Sequence, residues 1–273
     1  MAGSSNSLMT ENKQLPEPLI LVTNDDGFYA NGIYALQQTL TEVGQTVVVA
    51  PEAEKSAVGH AITISDPIRI SKLERENGFS GYAVAGTPAD CVKLGIKVVL
   101  ERKPDLVVSG INRGSNVGMS VLYSGTVSAA TEAVILGVPA IAISLDAWIS
   151  PDYSYAGKIA KQFVKTALKK GIAPGVALNI NVPKTPNGEA AGFRVTRQGT
   201  SNYEERFDKR IDPRQNVYYW MDGELVSKEE DPSVDDVALR EGYVSVTPLH
   251  YNLTSDESFE QLNSWEEFQN DAS

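Results

Sequence analysis

An α/β protein with a doubly wound, mostly parallel sheet is the fold this sequence predicts, and three observations predict it. Short apolar runs alternate with segments of helical spacing through residues 18–185. The connections between successive runs have the length of right-handed βαβ crossovers. Hydrophobic residues make up 42% and charged residues 22% of the 273 positions, ordinary values for a globular chain. A disordered, fibrous or coiled-coil protein is excluded.

The elements follow in order. Residues 18–23 (Pro-Leu-Ile-Leu-Val-Thr) form a buried strand that stops at the turn residues 24–27. Ile33, Leu36, Leu40 and Val43 follow helical spacing up to Gly44. Residues 46–50 are a second strand, stopped by Pro51. Residues 61–70 alternate apolar and polar side chains and predict a half-buried strand or hairpin arm. Thr87-Pro88-Ala89-Asp90 opens a helix with Thr as N-cap, Pro in the first position and an acid in the first turn. On that helix Cys91, Leu94 and Val98 make an apolar face.

Residues 105–109 (Asp-Leu-Val-Val-Ser) form the next strand, followed by a Gly/Asn-rich loop over 110–123. A helix of small residues runs from about Ser124 to Leu136, then a strand over 139–145. Residues 153–170 form a helix whose lysines 158, 161, 165 and 169 line a solvated face. Beyond residue 185 the alternation breaks down. Residues 193–199, 216–221 and 243–249 read as strands, and 229–241 as an acidic loop or short helix. The expected organisation is a flexible N-terminus (1–17), an α/β core (18–185), and a β-rich extension with an oligomerisation tail (186–273).

Charge narrows the function. The formal net charge is −11, which argues against a nucleic-acid polymer as partner. Residues 254–273 carry six acids and no Lys or Arg, so over half of that excess lies in the tail. A single cysteine allows no internal disulfide and no multi-thiolate metal site, and it points to a reducing cytoplasm. Residues 1–18 lack the apolar core of a signal peptide, and no apolar run is long enough to span a membrane.

In an open parallel sheet, ligands bind beyond the carboxyl ends of the strands. Three such loops are rich in oxygen-bearing residues: Asn24-Asp25-Asp26-Gly27; Glu52, Glu54, Lys55 and Ser56; and the stretch from Gly110 to Asn116. Adjacent carboxylates repel, and a cation is the usual way to keep both ionised. A set of Asp, Asp, Ser and Asn oxygens, without thiolate or imidazole, suits a hard cation such as Mg²⁺ or Mn²⁺. The competing reading is an Asx turn that caps the following helix. Tyr123-Ser124-Gly125-Thr126, at the start of the small-residue helix, offers backbone N–H groups, hydroxyls and a positive dipole end to a phosphate; an ordinary serine N-cap is the alternative. No Walker loop, G-x-G-x-x-G or G-x-S-x-G motif is present.

Taken together, several motifs resemble the SurE family of metal-dependent nucleotidases. They are Thr23-Asn24-Asp25-Asp26-Gly27, Ser56-Ala57-Val58-Gly59-His60, Gly86-Thr87-Pro88-Ala89-Asp90 and Ser109-Gly110-Ile111-Asn112, with Tyr123-Ser124-Gly125-Thr126-Val127-Ser128 and Val244-Ser245-Val246-Thr247-Pro248-Leu249. They run in order over about residues 18–254. The resemblance implies a Rossmann-like three-layer α/β/α fold and hydrolysis of nucleoside monophosphates, with 3′-nucleotides and short polyphosphate as further substrates. It implies one divalent cation per subunit held by Asp25, Asp26, Ser56 and Asn112, with Asp25 and Asp26 catalytic. Asn116, Ser124, Gly125 and Thr126 would hold the phosphate, and His60 is a candidate proton donor to the leaving group. A dimer or tetramer is implied, its C-terminal segment reaching a neighbour. Asn31 and Ser120 depart from the family pattern, which carries Pro and often an acid there. A covalent Asp phosphatase would want Asp-x-Asp after the first strand, where this chain has Asp25-Asp26; a non-catalytic nucleotide- or metal-binding module is the third reading.

Overall fold

The computed structural model describes residues 17–149, 151–184 and 188–265. The N-terminal stretch 1–16, the boundary at 185–187 and the acidic stretch after Trp265 lie outside the described residues. Nine strands form one sheet in the order β3-β4-β2-β1-β5-β6-β7-β11-β8. Its strands are β1 (Leu19–Thr23), β2 (Gln45–Pro51), β3 (Ile70–Glu74), β4 (Ser80–Val84), β5 (Leu106–Arg113), β6 (Ala140–Leu145), β7 (Val176–Val182), β8 (Phe193–Val195) and β11 (Val244–His250). The six strands from β4 to β7 in that order are parallel. β3 pairs antiparallel with β4 at one edge, and β11 pairs antiparallel with β7 towards the other. Sheet order reverses at β1: the chain passes to β2 and β4 on one side and returns to β5 on the other. That is a topological switch point, and it positions the site.

Helices cover both faces. Ile20 and Val22 of β1 pack with α1 (Asn31–Leu40) and α5 (Ser154–Lys170) through Ile33, Leu36, Ile159 and Val164. Leu21, between them on the strand, points to the opposite layer of α2 (Pro88–Leu94) and α4 (Gly125–Ile135), among Cys91, Val92, Ala130 and Ala133. Alternation along a strand buried on both faces thus builds two cores from one apolar run. The fold is the expected three-layer α/β/α sandwich.

Several elements differ from the sequence reading. Residues 61–69 form no strand; pairing begins only at Ile70. Their polar groups are spent on the helical layer instead: the Thr63 N–H and hydroxyl both donate to Asp90, at 3.0 and 2.6 Å. Helix α2 begins at the expected Thr87-Pro88 cap, with a full capping box between Thr87 and Asp90. It then widens into a π-turn over Gly95–Val99, so Cys91 is buried while Val98 turns out to solvent. The loop expected from residue 110 begins later, because β5 runs on to Arg113 with a register shift between Ser109 and Asn112.

A strand that the sequence reading did not contain, β9 (Asn202–Ile211), pairs antiparallel with β10 (Val217–Val226) in a separate two-stranded ribbon. Both arms are exposed along their whole length apart from Gly223. Tyr218, Tyr219 and Trp220 lie on this ribbon, outside the loops that carry Asp25 and Asp26. The remaining helices are α3 (Ser120–Tyr123), α6 (Asp235–Arg240) and α7 (Asp256–Asn263).

Candidate functional site

Four chain segments meet beyond the carboxyl ends of β1, β2 and β5. Asn24 shapes the first: its side chain donates to Gly27 O at 3.0 Å and accepts from Gly27 N–H at 3.2 Å. This Asx-type turn leaves Asp25 and Asp26 to the surroundings, so turn chemistry and a carboxylate pair coexist in one loop. Asp25 is buried, and its Oδ1 accepts the Thr126 hydroxyl. Asp26 is half-buried, and its Oδ2 accepts the backbone N–H of Arg113 at 3.2 Å, which ties the β1 and β5 loops together.

The second loop is anchored where Lys55 N–H donates to Asp25 O at 2.7 Å. Next to it Ser56, on the surface, donates to Glu54 Oε1 at 2.7 Å, and the Arg113 guanidinium lies 3.7 Å from that same oxygen. Glu54 and Arg113 thereby join Ser56 to the Asp26 side of the site. The sequence reading assigned neither a role, because a loop carboxylate and a loop arginine carry no pattern until the loops are brought together. In the third segment Asn112 Nδ2–H donates to Gly114 O at 2.8 Å, which commits its amide nitrogen to the protein and makes the side-chain oxygen the candidate ligand atom.

The fourth segment is the start of α4. Ser124 is its N-cap, accepting from Val127 N–H at 3.1 Å. Gly125 is glycine for a steric reason: a Cβ there would stand 2.7 Å from the Asp25 Cβ and 3.0 Å from its Oδ2. The positive end of α4 therefore faces Asp25 directly. Thr126, expected at the phosphate, has Asp25 as its first partner. Asn116 is likewise held by the protein, its Nδ2 donating to Ser144 Oγ at 2.8 Å and its backbone N–H to Asn181 Oδ1 at 2.7 Å.

Electrostatics mark this pair, as burial marks Asp235, whose carboxyl is also pushed up. Burial pushes the Asp25 carboxyl up despite its hydrogen bonds. Burial, and then the Asp25 charge beside it, push Asp26 up to about 6. Among the described residues, no three His, Cys, Asp or Glu side chains converge as a metal cage. Two carboxylates supplemented by a hydroxyl and an amide oxygen fit a hard divalent cation that keeps part of its water shell, and fit a thiophilic metal poorly.

His60, the candidate proton donor, has a protein partner in this structure. Its Nε2 lies 2.8 Å from Glu132 Oε2, while Lys93 Nζ donates to Glu132 Oε1 at 2.5 Å. The buried Glu132 on α4 thus pins the Ser56–His60 loop and α2 to the same helix.

A parallel α/β sandwich with a carboxylate-centred, oxygen-lined cleft at its switch point is the class of protein that fold and site define. Comparisons with known proteins name it further. Residues 20–205 match the family described as Survival protein SurE. A 5′-nucleotidase SurE of Syntrophobacter fumaroxidans is 48% identical over 246 residues, spanning 90% of this chain and 98% of the relative. Another, from Thermosipho melanesiensis, is 50% identical over 243 residues, 89% of this chain and 95% of that one. The crystal structure of the SurE protein from Aquifex aeolicus superposes with a TM-score of 0.78 at 42% identity, covering 90% of this chain and all of that one. The chain belongs to the SurE family.

Proposed function

We propose that this protein is a divalent-metal-dependent 5′-nucleotidase, hydrolysing nucleoside monophosphates to nucleoside and phosphate. The observation that carries the reading is the Asp25–Asp26 pair, held at the switch point with both carboxyls pushed up and with Ser56 and Asn112 brought alongside. Asp25, Asp26, Ser56 and Asn112 hold the cation, Mg²⁺ or Mn²⁺. When bound, it supplies charge neutralisation for phosphate oxygens and acidifies water.

Asp25 orients the attacking water and accepts its proton; the Thr126 hydroxyl and the α4 N-terminus fix the carboxylate for that work. Asp26 keeps the β5 loop in place through the Arg113 N–H. Ser124, Gly125 and Asn116 form the phosphate side of the cleft, with Thr126 acting there through Asp25. Arg113 contributes the cationic side chain that faces developing negative charge. Nucleoside 3′-phosphates and short polyphosphate are the further substrates of the same geometry.

The β9–β10 ribbon supports self-association as a dimer or tetramer. One of its faces carries Tyr203, Phe207, Ile211, Val217, Tyr219 and Met221, all exposed. A free two-stranded ribbon is marginal in water, so that face is completed by a second copy. We place the enzyme in the cytoplasm, on the reading that a chain with a single cysteine suits a reducing compartment; no helix among the described residues is long and apolar enough to cross a membrane.

Phosphate release from a panel of nucleoside monophosphates tests the activity, with and without chelator, on wild type and Asp26→Ala. Cation-dependent release that Asp26→Ala lowers by about 10³-fold is expected. Turnover that survives chelation refutes the reading, and a trapped phospho-aspartate replaces it with the covalent mechanism.

A further inference from the structure

We infer that Trp148 is the shelf on which the base of the nucleotide stacks. The inference rests on the nucleotidase reading and adds the group that makes the site prefer nucleotides to other phosphomonoesters.

The loops after β5 and β6 are fastened edge to edge. Gly114 N–H donates to Leu145 O at 2.8 Å, and the Ser115 hydroxyl donates to Asp146 Oδ1 at 2.9 Å. Trp148 follows two residues later, and the six-membered ring of its indole fills the space where a Gly114 side chain would stand. A Cβ on Gly114 would lie 2.7 Å from Cε2 and 2.8 Å from Cη2 of that indole, and the glycine's φ of +98° disfavours any other residue. The backbone is thus cut away to seat the ring.

The seat adjoins the candidate metal ligands, because Gly114 O is the atom that accepts the Asn112 amide at 2.8 Å. Two peptide units bring Gly114 within roughly 7 Å of Asn112 along the chain. A 5′-nucleotide carries its base one ribose beyond its phosphate, so a base stacked on the indole leaves the phosphate on the Asn112 side of the ring. Tyr153, half-buried, also stands beside β5: a Cβ on Gly32 would lie 3.3 Å from its Cε1 and 3.1 Å from the Ile111 carbonyl carbon.

What distinguishes Trp148 from the aromatics of the core is exposure: it is 60% accessible although it is fixed against the backbone on one side. A rigid aromatic with a seated side and an open one is what base stacking requires, and stacking tolerates any base because every base has a π-face.

Trp148→Ala and Trp148→Phe should be compared with wild type on adenosine 5′-monophosphate and on ribose 5-phosphate, which lacks a base. Loss of stacking raises KM for the nucleotide about tenfold or more, with kcat within twofold, and leaves kcat/KM for ribose 5-phosphate unchanged. Trp148→Phe retains most of the nucleotide preference. Adenosine, which has no phosphate, quenches tryptophan emission in wild type and loses most of that effect in Trp148→Ala. Equal losses on both substrates, no loss on either, or a changed oligomeric mass in Trp148→Ala would overturn the proposal. Failure of wild type to hydrolyse either substrate would instead overturn the nucleotidase reading, and adenosine quenching then still reports on the shelf.

Discussion

Two groups of buried carboxylates flank the same helix, and their environments are opposite. Asp90 and Glu132 are held by the protein itself. Burial pushes both up, but the side-chain and backbone hydrogen bonds from Thr63 and Thr87 outweigh it at Asp90, and those from His60 and Lys93 outweigh it at Glu132. Both carboxyls end below their ordinary range. Asp25 and Asp26 also receive hydrogen bonds, yet burial wins at both, joined by the Glu54 charge at Asp25 and by the Asp25 charge at Asp26, and both end above it. A carboxylate supplied with enough donors by the protein is a structural clasp. A pair left with excess negative charge is what the proposed cation would neutralise.

The largest expected effect that sharpens this contrast is on turnover. Asp25→Asn should lower kcat by about 10³-fold, whereas Glu132→Gln, on the same helix interface, should lower it less than about threefold. Steady-state kinetics at saturating cation measure both, and comparable losses would erase the distinction between clasp and site. A smaller effect is expected from Thr126→Val, which removes the hydroxyl from Asp25 while keeping the shape of the side chain. One hydrogen bond to a charged group corresponds to a fall in kcat of roughly tenfold or more.

Stability should move in the reverse order. Glu132→Gln leaves His60 and Lys93 without their anion, and thermal unfolding should show a Tm lower by about 2–6 °C. The pH dependence separates the two groups most finely. Asp26 binds its proton more tightly in the folded chain, so ionising it costs stability. In chelator, that contribution declines as pH rises from the ordinary carboxylate range through about 6. Asp90 and Glu132, held low, stabilise the fold above the ordinary carboxylate range and lose that effect as pH falls below it. Asp26→Asn should therefore raise Tm in chelator by about 2–4 °C at pH 7 and leave it unchanged at pH 4. Unfolding scans across that interval decide the matter.

Which parts were legible in sequence follows from the range of the forces involved. Strands β1, β2, β5 and β6 are continuous apolar runs between turn residues, and the Thr87 cap is a local hydrogen-bond pattern; both are written in neighbouring residues. Strand β9 was not legible, because Glu205 and Lys209 interrupt its apolar face and leave Tyr203, Phe207 and Ile211 at every fourth position. The strand expected over 61–70 failed for the converse reason: its alternation is genuine, but Asp90, some twenty-five residues away, captures Thr63. Trp148 carried no signal at all, since its seat, Gly114, lies on another loop.

Sequence alone determined the fold class, the acid-rich switch-point loop and the family, since local patterning and motif order need no knowledge of distance. Tertiary structure decided which partner each candidate site residue has. Thr126 and Gly125 serve Asp25, Glu132 restrains His60, and Glu54 joins Ser56 to Arg113. Hydrogen bonds and desolvation act over a few ångströms in space, and only the folded sheet brings residues a hundred positions apart within that reach.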